Sequence, residues 1–169
     1  LQLISCSTTD TREGNALSHE RQSIDIYSNS WGPSDNGITV EAPGPLMLAA
    51  FENDVSQGRG GLGNVITWAA GNGLDDDDNS NYDGYANSRH TIAVTAVTHK
   101  GEQSWYAEPG ANILVAAPSD GDGEGITTTD IEGSGGYENG DYTDGFGGTS
   151  SATPLASGVI ALMMDANPN

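Results

Sequence analysis

The sequence is short of cysteine, basic side chains, large aliphatic residues and long apolar runs. Its only cysteine, Cys6, excludes an intrachain disulfide and with it a small disulfide-stapled fold. Five Lys and Arg stand against 24 Asp and Glu, a formal net charge of −19, and repulsion of that size excludes nucleic acid and anionic membranes as partners. No apolar run reaches the roughly 18 residues of a membrane span, and residues 1–10 lack the basic start and apolar stretch of a secretory signal. Leu1 in place of an initiator Met is read as the sign of a processed protein or a piece of a longer one. Leu, Ile, Val and Phe supply 29 of 169 residues, below the roughly 20% that, with high net charge, marks disorder. Composition alone therefore leans towards an unfolded acidic chain, unless bound cations neutralise the carboxylates or a further segment completes the core.

The length fits one domain or part of one. A polar stretch from Asp10 to His19 predicts a short helix, and Ile24 to Tyr27 alternates as a short strand does. Pro45 in a first-turn position, the apolar Leu46 to Phe51 and the stop at Gly58 predict a buried helix over Pro45 to Gln57. Strands are predicted over Asn64 to Ala70, Thr91 to Thr98 and Asn112 to Ala116, and a helix over Ser150 to Ala166. Residues 119–146 shift to Gly, Asp and Glu and read as a mobile loop inside the domain. Strands alternating with helices give an α/β fold with a mostly parallel sheet.

Gly147-Gly148-Thr149-Ser150 places a serine at the mouth of a helix after glycines, where backbone N–H groups and the helix dipole favour an oxyanion. Taken alone, Thr149 or Ser150 reads as a helix N-cap rather than a catalytic residue. Asn72, in Gly71-Asn72-Gly73 after an apolar strand, reads as a turn residue. Asp75 to Asp78 read as a solvated, mutually repelling loop. An EF-hand framed on Asn79, Asn81 and Asp83 fails, because position one is Asn and His90 stands where the bidentate acid belongs.

The longer pattern from Gly148 to Pro154, Gly-Thr-Ser-x-Ala-x-Pro, resembles the nucleophile motif of the subtilisin-like serine peptidases, with Ser150 on the nucleophile. Ser30-Trp31-Gly32-Pro33-Ser34-Asp35-Asn36-Gly37, Gly58-Arg59-Gly60-Gly61-Leu62-Gly63 and Trp68-Ala69-Ala70-Gly71-Asn72-Gly73 resemble the kexin and furin branch, and Asp83 to Ser88 and Trp105 to Glu108 continue it in order. The resemblance implies a three-layer subtilisin-like fold, incomplete at its N-terminal side, with residues 1–169 forming part of the catalytic domain. It implies that Asn72 is the oxyanion donor, its amide acting with the Ser150 N–H. Asp35, Asp78 and Glu108 match three carboxylates that bind Ca²⁺ beneath the P1 pocket. Asp83, with Asp35 near it, matches the acid that pairs with a basic P1 side chain. Glu13, Glu41 and Tyr85 fall where that branch lines its P4 site. Ser34 and Asn36 depart from the more acidic furin-like pattern, which bears on how strict the basic selectivity is.

The triad of this family runs Asp, His, Ser, and none of His19, His90 or His99 sits in its His motif. The resemblance therefore implies the C-terminal part of a secreted or extracellular, calcium-dependent endopeptidase that cleaves protein or peptide substrates after basic residues. Its activity would require the missing N-terminal part of the catalytic domain, and the isolated chain would be inactive. Two other readings stay open: a non-catalytic calcium-binding or structural module on the same fold, and a disordered acidic fragment.

Overall fold

A computed structural model describes residues 8–168 of the chain; Cys6 and the stretch that would carry a secretory signal fall largely outside them. Helix α1 (Asp10–Leu17) is followed by β1 (Ile26–Asn29), α2 (Pro45–Gln57), β2 (Val65–Ala69), β3 (Ile92–Val97) and β4 (Ile113–Pro118). Strands β1 to β4 form one parallel sheet in chain order, with Asn29 opposite Trp68, Ala69 opposite Val94 and Val97 opposite Pro118. The chain closes with β5 (Ile126–Thr129), β6 (Tyr142–Phe146) and α3 (Thr149–Ala166).

Strand β2 is buried at every position after Val65, as a central parallel strand covered on both faces must be. Its side chains alternate between two cores. Ile66 and Trp68 pack with Tyr27, Met47, Phe51 and Tyr85 on the α1–α2 side. Thr67 faces α3, where its hydroxyl meets that of Ser157 at 2.8 Å. The α3 side is built from Val94, Tyr106 and small residues, among them Ala96, Ala117, Ala152 and Ala156, so the helix lies close on the sheet. Three layers result, and the second helix of the first layer is capped from outside itself. Gly44 offers α2 no side-chain cap, and the Asp10 carboxylate accepts from Leu46 N at 3.0 Å and Met47 N at 2.8 Å.

Four sequence expectations change. The first helix stops at Leu17, short of His19, and the first strand lies two residues later than Ile24 to Tyr27. Residues 119–146 are not a structureless loop: β5 and β6 pair antiparallel. Thr127 donates to Asp144 at 2.7 Å, and Asp130 holds the far end by accepting from Ile131 N and Glu138 N. Disorder is overruled too, because Ala, Trp and Tyr supply most of the two cores, and none of them counts among the Leu, Ile, Val and Phe that composition weighed.

Candidate active site

In a parallel sheet the loops that leave the C-terminal strand ends converge, and here those after β1, β2 and β3 meet the start of α3. Ser150 lies in the first turn of α3, half-buried, behind Gly148 with φ +77°. First-turn N–H groups have no partner within a helix and favour negative charge. Pro154 lacks the N–H that would bond the Ser150 carbonyl four residues back, and the Ser30 hydroxyl donates to that carbonyl instead at 2.9 Å. The proline of the motif and the serine that follows β1 thus form one arrangement.

Asn72 stands beside this turn. Its Oδ1 accepts from Thr149 N at 2.8 Å and from the Thr149 hydroxyl at 3.0 Å. The same hydroxyl accepts from Gly71 N at 3.3 Å. With its oxygen so engaged, the amide nitrogen donates to Asp35 Oδ2 at 3.4 Å. Gly71, at φ +109°, lets the turn pass against Glu108: a Cβ there would sit 2.3 Å from its carboxylate.

Asp35, Asp78 and Glu108 come from three separate loops, and one carboxylate oxygen of each lies within 4.8 Å of the others. Backbone donors orient all three: Asn72 N to Asp35, Asn36 N and Gly37 N to Asp78, and Gly73 N to Glu108. Burial, with the neighbouring charges of Asp35, Asp78 and Asp83, pushes Glu108 up to about 7. Ca²⁺ takes hard oxygen ligands at roughly 2.3–2.6 Å, so ligands across such an ion stand about 5 Å apart, and this donor set fits it. Asp75, Asp76 and Asp77 remain exposed while Asp78 is buried, so only the last of the run belongs to the cluster.

Asp83 opens on the same cleft, which Ser34, Asp35, Thr39, Gly71 and Glu108 also line. Burial raises its carboxyl to about 6, against the lowering effect of the Tyr85 N–H, which bonds it at 2.7 Å. Glu41 is exposed and its backbone bridges to Asp83. Glu13 and Tyr85 come together differently: both are buried, and the Tyr85 hydroxyl donates to Glu13 Oε2 at 3.0 Å. The Tyr85 ring stacks on Trp68 and leans on Trp31. Among the described residues none of the three histidines hydrogen-bonds to Ser150.

Sequence reading passed over Asp120, Ser119 and Tyr106. Asp120 accepts from Gly148 N at 2.7 Å and from the Tyr106 hydroxyl. No local pattern signals a contact between residues 28 positions apart.

The sequence profile of the subtilase family matches residues 3–169. The chain is 44% identical over 170 residues to human proprotein convertase subtilisin/kexin type 4, covering 99% of this chain and 22% of that protein. It is 40% identical over 171 residues to furin-1 of Xenopus laevis, covering 100% of this chain and 21% of the relative. The chain thus spans under a quarter of the length of these curated relatives. In three dimensions it is similar to the serine protease of Aeromonas sobria, with TM-score 0.78 at 24% identity, covering 95% of this chain and 34% of that one. The protease from Pseudoalteromonas arctica gives 0.73 at 24% identity, over 98% and 49%. At such identities the likeness concerns the fold, and it supports the α/β, subtilisin-like architecture. Sequence profile, motif order and fold agree that the chain belongs to the subtilase family and resembles its kexin and furin branch.

Proposed function

We propose that this chain is the nucleophile-bearing and pocket-bearing part of a secreted, calcium-dependent serine endopeptidase that cleaves peptide bonds after basic residues. The observation that carries this is the convergence of Asp83 and the Asp35, Asp78 and Glu108 cluster on one cleft, beside the Asn72 and Ser150 turn. Ser150 would attack the scissile carbonyl, and the Asn72 amide with the Ser150 N–H would hold the resulting oxyanion. Base and orienting acid would come from residues outside this chain, so the isolated chain would be a weak nucleophile. Residues 1–169, including the 119–146 hairpin, are accordingly read as part of one catalytic domain.

Asp83, with Asp35, would pair with the P1 guanidinium or ammonium. A buried carboxylate left without such a partner is costly, so neutral side chains are rejected. Glu41, Glu13 and Tyr85 are read as the P4 region, with the buried Glu13 and Tyr85 pair acting as its fixed wall. Asp35, Asp78 and Glu108 would hold Ca²⁺. When bound it would neutralise three mutually repelling carboxylates and tie their loops together. Asp35 belongs to both readings, so pocket and ion site share a wall.

Kinetics of the full-length peptidase on peptides that differ only in Arg or Gln at P1 test this. A preference for Arg on the order of 10³-fold or more is expected, together with loss of turnover on calcium chelation. Asp83→Asn should collapse the preference mainly through the Arg substrate. Equal turnover of the two peptides, or turnover unaffected by chelation, would contradict the reading.

A further inference from the structure

The hairpin of β5 and β6 leaves the body of the protein just after Ser119 and Asp120 and returns to it at Gly147 and Gly148. At that base, side chains grip both ends of the Gly148 residue. The Asp120 carboxylate accepts its N–H at 2.7 Å, and its carbonyl accepts from the Ser119 hydroxyl at 2.8 Å and the Ser151 hydroxyl at 3.2 Å. Asp120 is itself fixed: the buried Tyr106 hydroxyl donates to its carboxylate, and the Ser104 hydroxyl donates to its carbonyl at 2.8 Å. Gly147 passes so near that a Cβ there would lie 2.1 Å from the Asp120 carboxylate.

Gly148 holds φ +77°, a conformation that L side chains rarely adopt, and it immediately precedes the two N–H groups on which the site depends. Thr149 N fixes the Asn72 oxygen, and the Ser150 N–H is the second oxyanion donor of the proposed mechanism. Rotation of the Gly148 peptide would swing Thr149 N away from Asn72. Placement also matters. Asp120 takes the Gly148 N–H, one residue ahead of α3, and leaves the Ser150 N–H for a developing charge.

We infer that Asp120, braced by Tyr106, is a positioning residue for the oxyanion hole, acting through Gly148 and Thr149 on Asn72. It touches no reacting atom. This inference deepens the peptidase reading and rests on it. A carboxylate is not required as such: an amide oxygen at the same place accepts the same N–H.

The test is a mutant cycle in the full-length peptidase, with kcat expressed per active site titrated by a fluorophosphonate. Asp120→Ala should lower kcat about 10-fold, less than the roughly 10²–10³ for loss of the donor itself, with KM unchanged within about twofold. Asp120→Asn should restore most of the rate. Because Asp120 works through Asn72, the Asp120→Ala and Asn72→Ala losses should be strongly non-additive. A merely structural role would lower the titratable fraction or the melting temperature while kcat per site and additivity stayed as they were. That result, or no rescue by Asn, would overturn the inference. If the peptidase with Asp120 intact turned over no peptide and left Ser150 unlabelled, the peptidase reading would fall, and this inference with it.

Discussion

Asp54, buried, and Asp83, half-buried, both carry carboxyls raised to about 6, and their surroundings separate them. Asp83 accepts a backbone N–H and opens on the cleft, where a cationic side chain can restore its charge. Asp54, fully buried on α2, accepts no hydrogen bond at either oxygen and has only Arg21 Nε at 3.3 Å. Burial raises its carboxyl from the ordinary 3.8 to about 6, and Arg21 offsets only part of this. A raised carboxyl favours the folded state when protonated. Its contribution is full below the ordinary value and is lost as pH rises through about 6. Asp54→Asn should therefore melt higher than the parent chain at pH 7, with the gap closing towards pH 4. Melting curves at several pH values check this, and a variant less stable at pH 7 would contradict it. Ser150 and Asn72 were singled out by contiguous motifs, and the structure sets Asn72 against the turn that carries Ser150. Asp54 and Asp120 carry no such mark, because what distinguishes them is burial and contacts made by distant parts of the chain.

Among the elements, α2 was legible to the residue. Pro45 and Gly58 punctuate it chemically, and both boundaries stand where those residues put them. What no local signal could convey is that its N-terminal cap comes from α1. Asp10→Ala removes the acceptor for Leu46 N and Met47 N and should cost about 0.5–2 kcal/mol, the usual range for a lost cap. Urea unfolding should show a lower midpoint with an unchanged slope. An unchanged midpoint would show that water replaces Asp10 fully. The hairpin was misread for a related reason. Glycine and carboxylates signal a loop, and the side-chain bonds made by Asp130, Asp144 and Glu138 that hold this one together depend on strands pairing first.

For the whole molecule, a charge of −19 and few large aliphatics pointed to disorder, and both features acquire a place. Some of the carboxylates are internal: Glu13, Asp54, Asp78 and Glu108 are buried. Others fasten turns and helix ends, as Asp10, Asp120 and Asp130 do. The sheet order follows the chain order, and the element pattern anticipated a parallel α/β sheet, while the three-layer subtilisin-like fold was implied by the family resemblance. The site was legible because its motifs lie in the loops at one end of that sheet. Large apolar side chains remain exposed on α3 and β4, with Leu162 72% and Leu114 70% accessible. On the proposed mechanism Ser150 is a nucleophile whose power depends on residues beyond this chain. Fluorophosphonate labelling, mapped by mass spectrometry, tests it most directly. The full-length peptidase should be labelled rapidly at Ser150, the Ser150→Ala variant not at all there, and the isolated chain far more slowly. Absence of an adduct on Ser150 in the full-length peptidase, or equal rates in peptidase and isolated chain, would contradict it.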